Sequence, residues 1–155
     1  KGVNDNEILD FLEFSAKYDI EVRFLELMKI GVVLPVFDSM FMSADEAISL
    51  IKKEWSLDDV IVPKDSTSFN FIANKESVRA KVGFIASESK PFCTGCSRLR
   101  MGPKGELRPC LMVDHGVSLK DLDKVQLEKV LWEVVALKPQ TRIKEVTQPM
   151  YQIGG

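Results

Sequence analysis

The sequence has little of several things, and each scarcity excludes a class of protein. No stretch approaches the run of about eighteen apolar residues that a membrane-spanning helix needs. Charge of one sign is missing: 21 Lys and Arg against 23 Asp and Glu leave a formal net charge of −2. Nothing global therefore points to nucleic acid or an anionic membrane, and any basic function must be a local patch. The first ten residues, KGVNDNEILD, are polar and carry no apolar signal segment, so no export is expected and a reducing cytoplasm is the expected location. Cysteine is sparse and odd in number. Three thiols, two of them separated by two residues, do not make the paired framework of a secreted disulfide-rich domain. Histidine occurs once, and no internal repeat or low-complexity tract is visible.

What is present is the composition of a globular domain. Hydrophobic residues make up 45% and charged residues 28% of the 155 positions, enough apolar material for a core. The chain starts at Lys1 and runs at once into a helix-start pattern, Asn4 with Glu7 three residues on, as expected of a piece of a longer protein. A helix is predicted over residues 5–17, with Ile8, Phe11 and Leu12 on one face, widened by Leu9 and Ala16. A strand follows at 20–27, with Ile20, Val22 and Phe24 on one side and Glu21, Arg23 and Leu25 on the other. Such a helix and strand read as a unit of an α/β sheet or barrel. The charged second face suits either a polar lumen or a wet edge strand, and the stretch alone leaves both open.

Residues 31–42 lack a period and read as a loop with a short extended part. Ser43 and Glu46 form a capping box that opens a second helix, whose apolar face is Ala47, Ile48, Ile51 and Trp55. Strands are predicted at 67–73 and 80–86, joined by a polar turn at 74–77. A third helix carries Leu127, Val130, Leu131 and Val134 at full helical spacing and is stopped by Pro139. Residues 140–155 form a polar tail ending in Gly154-Gly155. The organisation is thus an α/β piece over 1–30 and a small α+β unit with antiparallel hairpins over 31–155.

The chemistry lies in KPFCTGCSRLRMGPKGELRPCL, residues 90–111. Cys93 and Cys96 make a short loop that lets both sulfurs face one ion, and Cys110 follows after thirteen intervening residues. Gly102-Pro103-Lys104-Gly105 is a turn signal. A hairpin folded about Pro103 sets Cys96 opposite Cys110 and Arg98 opposite Arg108, and in any such hairpin Cys110 returns beside the Cys93–Cys96 loop. Zinc would want a fourth ligand, for which His115 is the candidate; a four-iron cluster on three cysteines would keep one iron open. Spacing leaves both possible. Arg98, Arg100 and Arg108 tilt the balance, because guanidiniums gathered at a metal site form an anion trap suited to phosphate.

This segment resembles the C-terminal cluster motif of the MoaA family, the radical S-adenosylmethionine GTP 3′,8-cyclases of molybdenum-cofactor synthesis. KGVNDNEILDFLEF and IEVRFLELMKIG resemble the family's late barrel helix and strand, and Gly154-Gly155 its terminal double glycine. The resemblance implies that residues 1–30 end an incomplete TIM-like barrel and that 31–155 form the cluster- and substrate-binding domain. It implies a [4Fe-4S] cluster on Cys93, Cys96 and Cys110 that binds the guanine of GTP through its open iron. Arg98, Arg100 and Arg23 would contact GTP, the backbone near Met28 would approach S-adenosylmethionine, and Gly154 and Gly155 would thread into the active site. It further implies a homodimer, and a cyclised product handed to the cyclic pyranopterin monophosphate synthase that acts next. The N-terminal Cys-x3-Cys-x2-Cys loop that holds the family's radical-generating cluster does not occur here, so the fragment alone is expected to be inactive. Two positions depart from the family pattern, Lys90 where histidine is usual and Ser97 where asparagine is usual. The other readings of the same residues are a Cys3His zinc module for a protein or nucleic-acid partner, and an auxiliary-cluster domain of a different radical enzyme.

Overall fold

The structure is a computed structural model that describes residues 1–113 and 115–152. The chain divides into two compact units, one of residues 1–28 and 36–95, the other of 29–35 and 96–155. The first helix and strand share a core with residues 44–86.

In the first unit, helix α1 (Ile8–Tyr18) begins three residues later than its sequence signal and carries no side-chain cap. Asn4 contributes instead through its carbonyl, which accepts from the Glu7 N–H at 3.2 Å. Strand β1 (Glu21–Leu25) comes next. Residues 31–42, expected to be loop, form a 3-10 segment (Gly31–Val36) and a single turn of helix, α2 (Phe37–Met40). Helix α3 (Ala44–Ile51) starts on the anticipated capping box: Ser43 Oγ accepts from the Glu46 N–H at 3.2 Å, and Glu46 accepts from the Ser43 N–H at 2.8 Å. Strand β2 (Ser56–Val60) was not legible, since the two apolar residues of SLDDV, Leu57 and Val60, are separated by two aspartates and do not alternate. Strands β3 (Phe69–Lys75) and β4 (Val78–Ile85) make the expected hairpin, its two-residue turn placing Glu76 at φ 54°.

The sheet order is β1-β4-β3-β2, with β1 parallel to β4 and the other pairs antiparallel. One face builds the core. Ala80, Val82 and Phe84 of β4 alternate inward against Ile8 and Leu12 of α1, Ala47 and Ile51 of α3, and Trp55. Phe84 lies 5.7 Å from each of Phe24 and Phe69 in stacked geometry. The opposite face is polar. Glu21 and Arg23 are ion-paired and exposed, and Asn70 Nδ2 donates to Glu21 at 2.9 Å. Gly83 is required between them: a Cβ there would meet Asn70 Oδ1 at 2.8 Å and Arg23 Cγ at 3.2 Å.

Two polar side chains lock this unit. Ser15, 1% exposed, lies within hydrogen-bond distance of the carbonyls of Ile20 (2.7 Å) and Lys81 (3.0 Å), one of which takes its single hydroxyl proton, and accepts from the Lys81 N–H at 2.8 Å, joining α1 to β4. Glu26, 7% exposed, accepts from the N–H groups of Ala44, Glu88 and Ser89, each at 2.8 Å, and from the Ser89 hydroxyl. One carboxylate thus satisfies an orphan donor of α3 and fixes the chain leaving β4.

The second unit holds a three-stranded antiparallel sheet, β5 (Arg100–Met101), β6 (Glu106–Arg108) and β7 (Val117–Ser118), and helix α4 (Lys124–Ala136). Asp123 and Gln126 form a reciprocal capping box at the start of α4. Of its apolar stripe only Val134 is fully buried. The tail is not free: Val146 pairs with Ile30 in a parallel bridge and exchanges hydrogen bonds with Lys29 and Gly31. Among the described residues no helix is long and apolar enough to cross a membrane.

Removing Glu26 leaves three backbone donors unmet, so Glu26→Ala is expected to cost about 3 kcal/mol, and Glu26→Gln less. Urea unfolding followed by circular dichroism measures both. The Lys1 ammonium, the Ser43 N–H and the Ser43 hydroxyl hold the Glu46 carboxyl down at about 2. A carboxyl depressed on folding stabilises the fold above its unfolded value of about 4.3, and that contribution is lost as pH falls toward 2. The thermal midpoint should therefore fall between pH 5 and pH 2, and fall less in Glu46→Gln, as a pH series of melts would show.

Candidate functional site around the cysteine hairpin

The hairpin forms where the turn signal placed it, in a different register. Arg100 pairs with Arg108 and Met101 with Leu107. Opposed residues therefore sum to 208, not 206. The cause is the turn itself. The Gly105 N–H donates to the Gly102 carbonyl at 3.0 Å, Gly105 then takes φ 78°, and the Gly102 N–H donates to the Glu106 carbonyl at 2.8 Å. A tight turn followed by a left-handed glycine adds one residue to the loop and slides the register. Arg98 consequently does not face Arg108, nor does Cys96 face Cys110.

Arg108 is 7% exposed and pairs with Glu106 at 3.1 Å, two residues away on the same face of β6. Among the described residues its Nε and Nη1 have no hydrogen-bond partner, and neither has Glu106 Oε2. Two glycines make room for this pair. A Cβ at Gly102 would stand 2.5 Å from the Glu106 carboxyl carbon, and one at Gly116 would stand 2.8 Å from Arg108 Cγ and 2.9 Å from the Leu107 carbonyl oxygen. The carboxyl of Glu106 is held below its usual range chiefly by its own backbone N–H; desolvation opposes this, and the Arg108 guanidinium adds to the lowering. Arg100, half-buried, stands directly across from Arg108. Like charges set opposite each other repel, so this face of the hairpin is strongly cation-rich.

The three cysteines are thiols, each half-buried. Cys93 opens a 3-10 turn (Cys93–Gly95) in the first unit, whereas Cys96 and Cys110 belong to the second. Cys110 Sγ accepts from the Met112 N–H at 3.4 Å. Cys96 Sγ accepts from Arg98 Nη1 at 4.0 Å and from Lys138 Nζ at 3.8 Å. Burial pushes the Cys96 thiol up, but the Arg98 N–H and guanidinium and the Lys138 charge outweigh it, and the net shift is downward. Lys138 was not anticipated. Nothing but its position beside Pro139, just past α4, could have drawn notice.

Other expected residues lie elsewhere. Arg23 lines a cleft of about 310 Å³ in the first unit, with Glu26, Phe11, Met42 and Ala47. Met28 is half-buried beyond β1, and His115 is exposed. Gly154 and Gly155 lie outside the described residues. Among the described residues no three Cys, His, Asp or Glu side chains converge on a common metal position. The donor chemistry nevertheless fits a thiolate-ligated metal: Cys96 sits among cations that favour its ionised form, and Cys110 accepts a backbone N–H, as cluster ligands do.

An α+β domain carrying a cysteine hairpin set among arginines is the class that the fold and site define. Residues 20–144 match the Molybdenum Cofactor Synthesis C family. The chain belongs to that family. It is 36% identical to the GTP 3′,8-cyclase of Synechocystis sp. across the whole of this chain and 46% of that protein. Against the GTP 3′,8-cyclase of Aquifex aeolicus it is 36% identical over 161 aligned residues, again spanning all of this chain and 49% of the relative. For that of Clostridium botulinum the identity is 37%, covering 50% of the relative. The chain spans about half the length of the curated relatives it matches.

Gly116→Ala tests the packing of the hairpin. The added methyl has backbone on one side and the Arg108 stem on the other, so a loss of about 2 kcal/mol is expected, read as a lower urea midpoint.

Proposed function

We propose that this chain is the C-terminal part of a GTP 3′,8-cyclase of molybdenum-cofactor synthesis, the part that binds GTP. The observation that carries the reading is the cationic setting of Cys96, with Lys138 and Arg98 on its sulfur, inside a hairpin where Arg100 and Arg108 stand opposed. In this reading Cys93, Cys96 and Cys110 hold a [4Fe-4S] cluster. Metal sites are commonly organised by the metal itself, so the thiols need not converge beforehand. When bound, the cluster supplies an iron position without a protein ligand, open to the guanine of GTP.

The chain's own residues do the rest. Arg98 and Arg100 take the anionic end of the nucleotide, which suits bidentate guanidinium recognition of phosphate. Arg23 contributes from β1, the strand that would close the end of the barrel in the longer protein. The backbone near Met28 would approach S-adenosylmethionine, and Gly154 and Gly155 would enter the active site, where the lack of a side chain permits close approach. Radical generation would belong to a second [4Fe-4S] cluster in the other half of the enzyme, so this chain by itself would catalyse no cyclisation. The whole enzyme would work in the cytoplasm as a homodimer and pass its product to the cyclic pyranopterin monophosphate synthase.

Anaerobic reconstitution with iron and sulfide tests this. A brown protein with broad absorbance near 400 nm, lost in Cys110→Ala, is the expected outcome (a generic iron–sulfur signature). GTP but not ATP should perturb that spectrum. Arg98→Ala and Arg100→Ala should each weaken GTP binding about tenfold, about 1.4 kcal/mol, without bleaching the chromophore. Stoichiometric zinc and no chromophore would instead favour the Cys3His module. A cluster indifferent to GTP would favour a different radical enzyme.

A further inference from the structure

Lys138 makes three hydrogen bonds, which is all an ammonium can donate. It donates to the Pro109 carbonyl at 2.9 Å, to the Arg98 carbonyl, and to Cys96 Sγ at 3.8 Å. Arg98 lies on the leg entering the hairpin and Pro109 on the leg leaving it, one residue before Cys110. The strands pair only at Arg100–Arg108 and Met101–Leu107, so above them the legs carry no ladder of their own. Lys138 closes that open end. It reaches there from just past α4, an element with a capping box of its own at the opposite end. The side chain is half-buried, which strengthens each of these bonds relative to water.

An ammonium can bind two carbonyls anywhere on a surface. Here it does so with its third proton on a thiol sulfur, in a hairpin already rich in guanidinium. Another cation at that place raises the electrostatic cost of the fold unless it acts on the sulfur. We propose that Lys138 is the positioning residue of the cysteine hairpin. It clamps the two legs at the level of Cys96 and Cys110, and its N–H···S bond stabilises negative charge on the Cys96 sulfur, making a bound cluster easier to reduce. The clamp stands on the hairpin alone, while the redox consequence rests on the proposed cluster. Hydrogen bonds to ligand sulfurs and nearby positive charge are among the factors that set cluster potentials.

The test has two arms, using Lys138→Met, which keeps the length of the apolar stem and removes the ammonium, and Lys138→Arg, which restores charge and donors. In the first arm, hydrogen exchange of the metal-free chain is followed by mass spectrometry. Lys138→Met should speed exchange in peptides spanning 96–110 by about tenfold or more, with the sheet β1-β4-β3-β2 unchanged as internal control, and Lys138→Arg should recover most of the protection. Unchanged exchange in 96–110 overturns the clamp, whether or not a cluster forms. In the second arm, the reconstituted chain is titrated electrochemically. Lys138→Met should lower the reduced-to-oxidised ratio at a fixed potential about tenfold, which is 59 mV for one electron, and Lys138→Arg should move it back. An unmoved potential with accelerated exchange leaves Lys138 a structural staple and overturns its action on sulfur. Failure of the wild-type chain to assemble a cluster counts against the proposed function, and the exchange arm then decides the clamp.

Discussion

The first unit depends on one buried carboxylate. Glu26 sits directly after β1 and accepts from α3, which comes later in the chain, and from the segment that leaves β4. Without it the N-terminus of α3 and the chain leaving β4 would lose the acceptor of three backbone donors. Such donors are costly, and apolar packing cannot repair them. Glu88 and Ser89, held on Glu26, stand four to five residues before Cys93. The constraint that closes the core therefore also sets where the cysteine segment begins.

In the second unit the comparable constraint is positive. Lys138 binds two carbonyls and a sulfur at the open end of a hairpin that has only two paired positions on each strand. In the same hairpin, buried Arg108 pairs with half-buried Glu106 in space cleared by Gly102 and Gly116. This is an expensive way to build a small sheet, since the Arg108 charge must leave water. In the proposed function, that concentration of positive charge would serve thiolate ligands and an anionic nucleotide.

Much of this was readable in advance. The capping box at Ser43 and Glu46, the β3–β4 hairpin, the periodic face of α1 and the turn at Gly102–Gly105 are local signals, and local signals decided those elements. What escaped has a common physical character. β2 is polar and is held by pairing with β3 rather than by its own composition. Residues 31–40 coil into helical turns without a period to announce them. The hairpin register moved because Gly105 inserts a bulge, which a symmetric fold about Pro103 ignores. Ser15, Glu26 and Lys138 each reach partners at least 18 residues away, and such contacts leave no pattern along the chain. Of the site itself, the cysteines and arginines were named from spacing and resemblance. The ammonium on Cys96 was found only in three dimensions.

The central claim is that three thiols in this hairpin hold a cluster whose remaining iron takes the base of GTP. The most direct measurement is electron paramagnetic resonance of the reduced, reconstituted chain with GTP labelled with nitrogen-15 in the guanine. The account predicts a nitrogen hyperfine coupling that appears with GTP and changes with the label. An intact cluster signal with no nitrogen coupling at saturating GTP would contradict it.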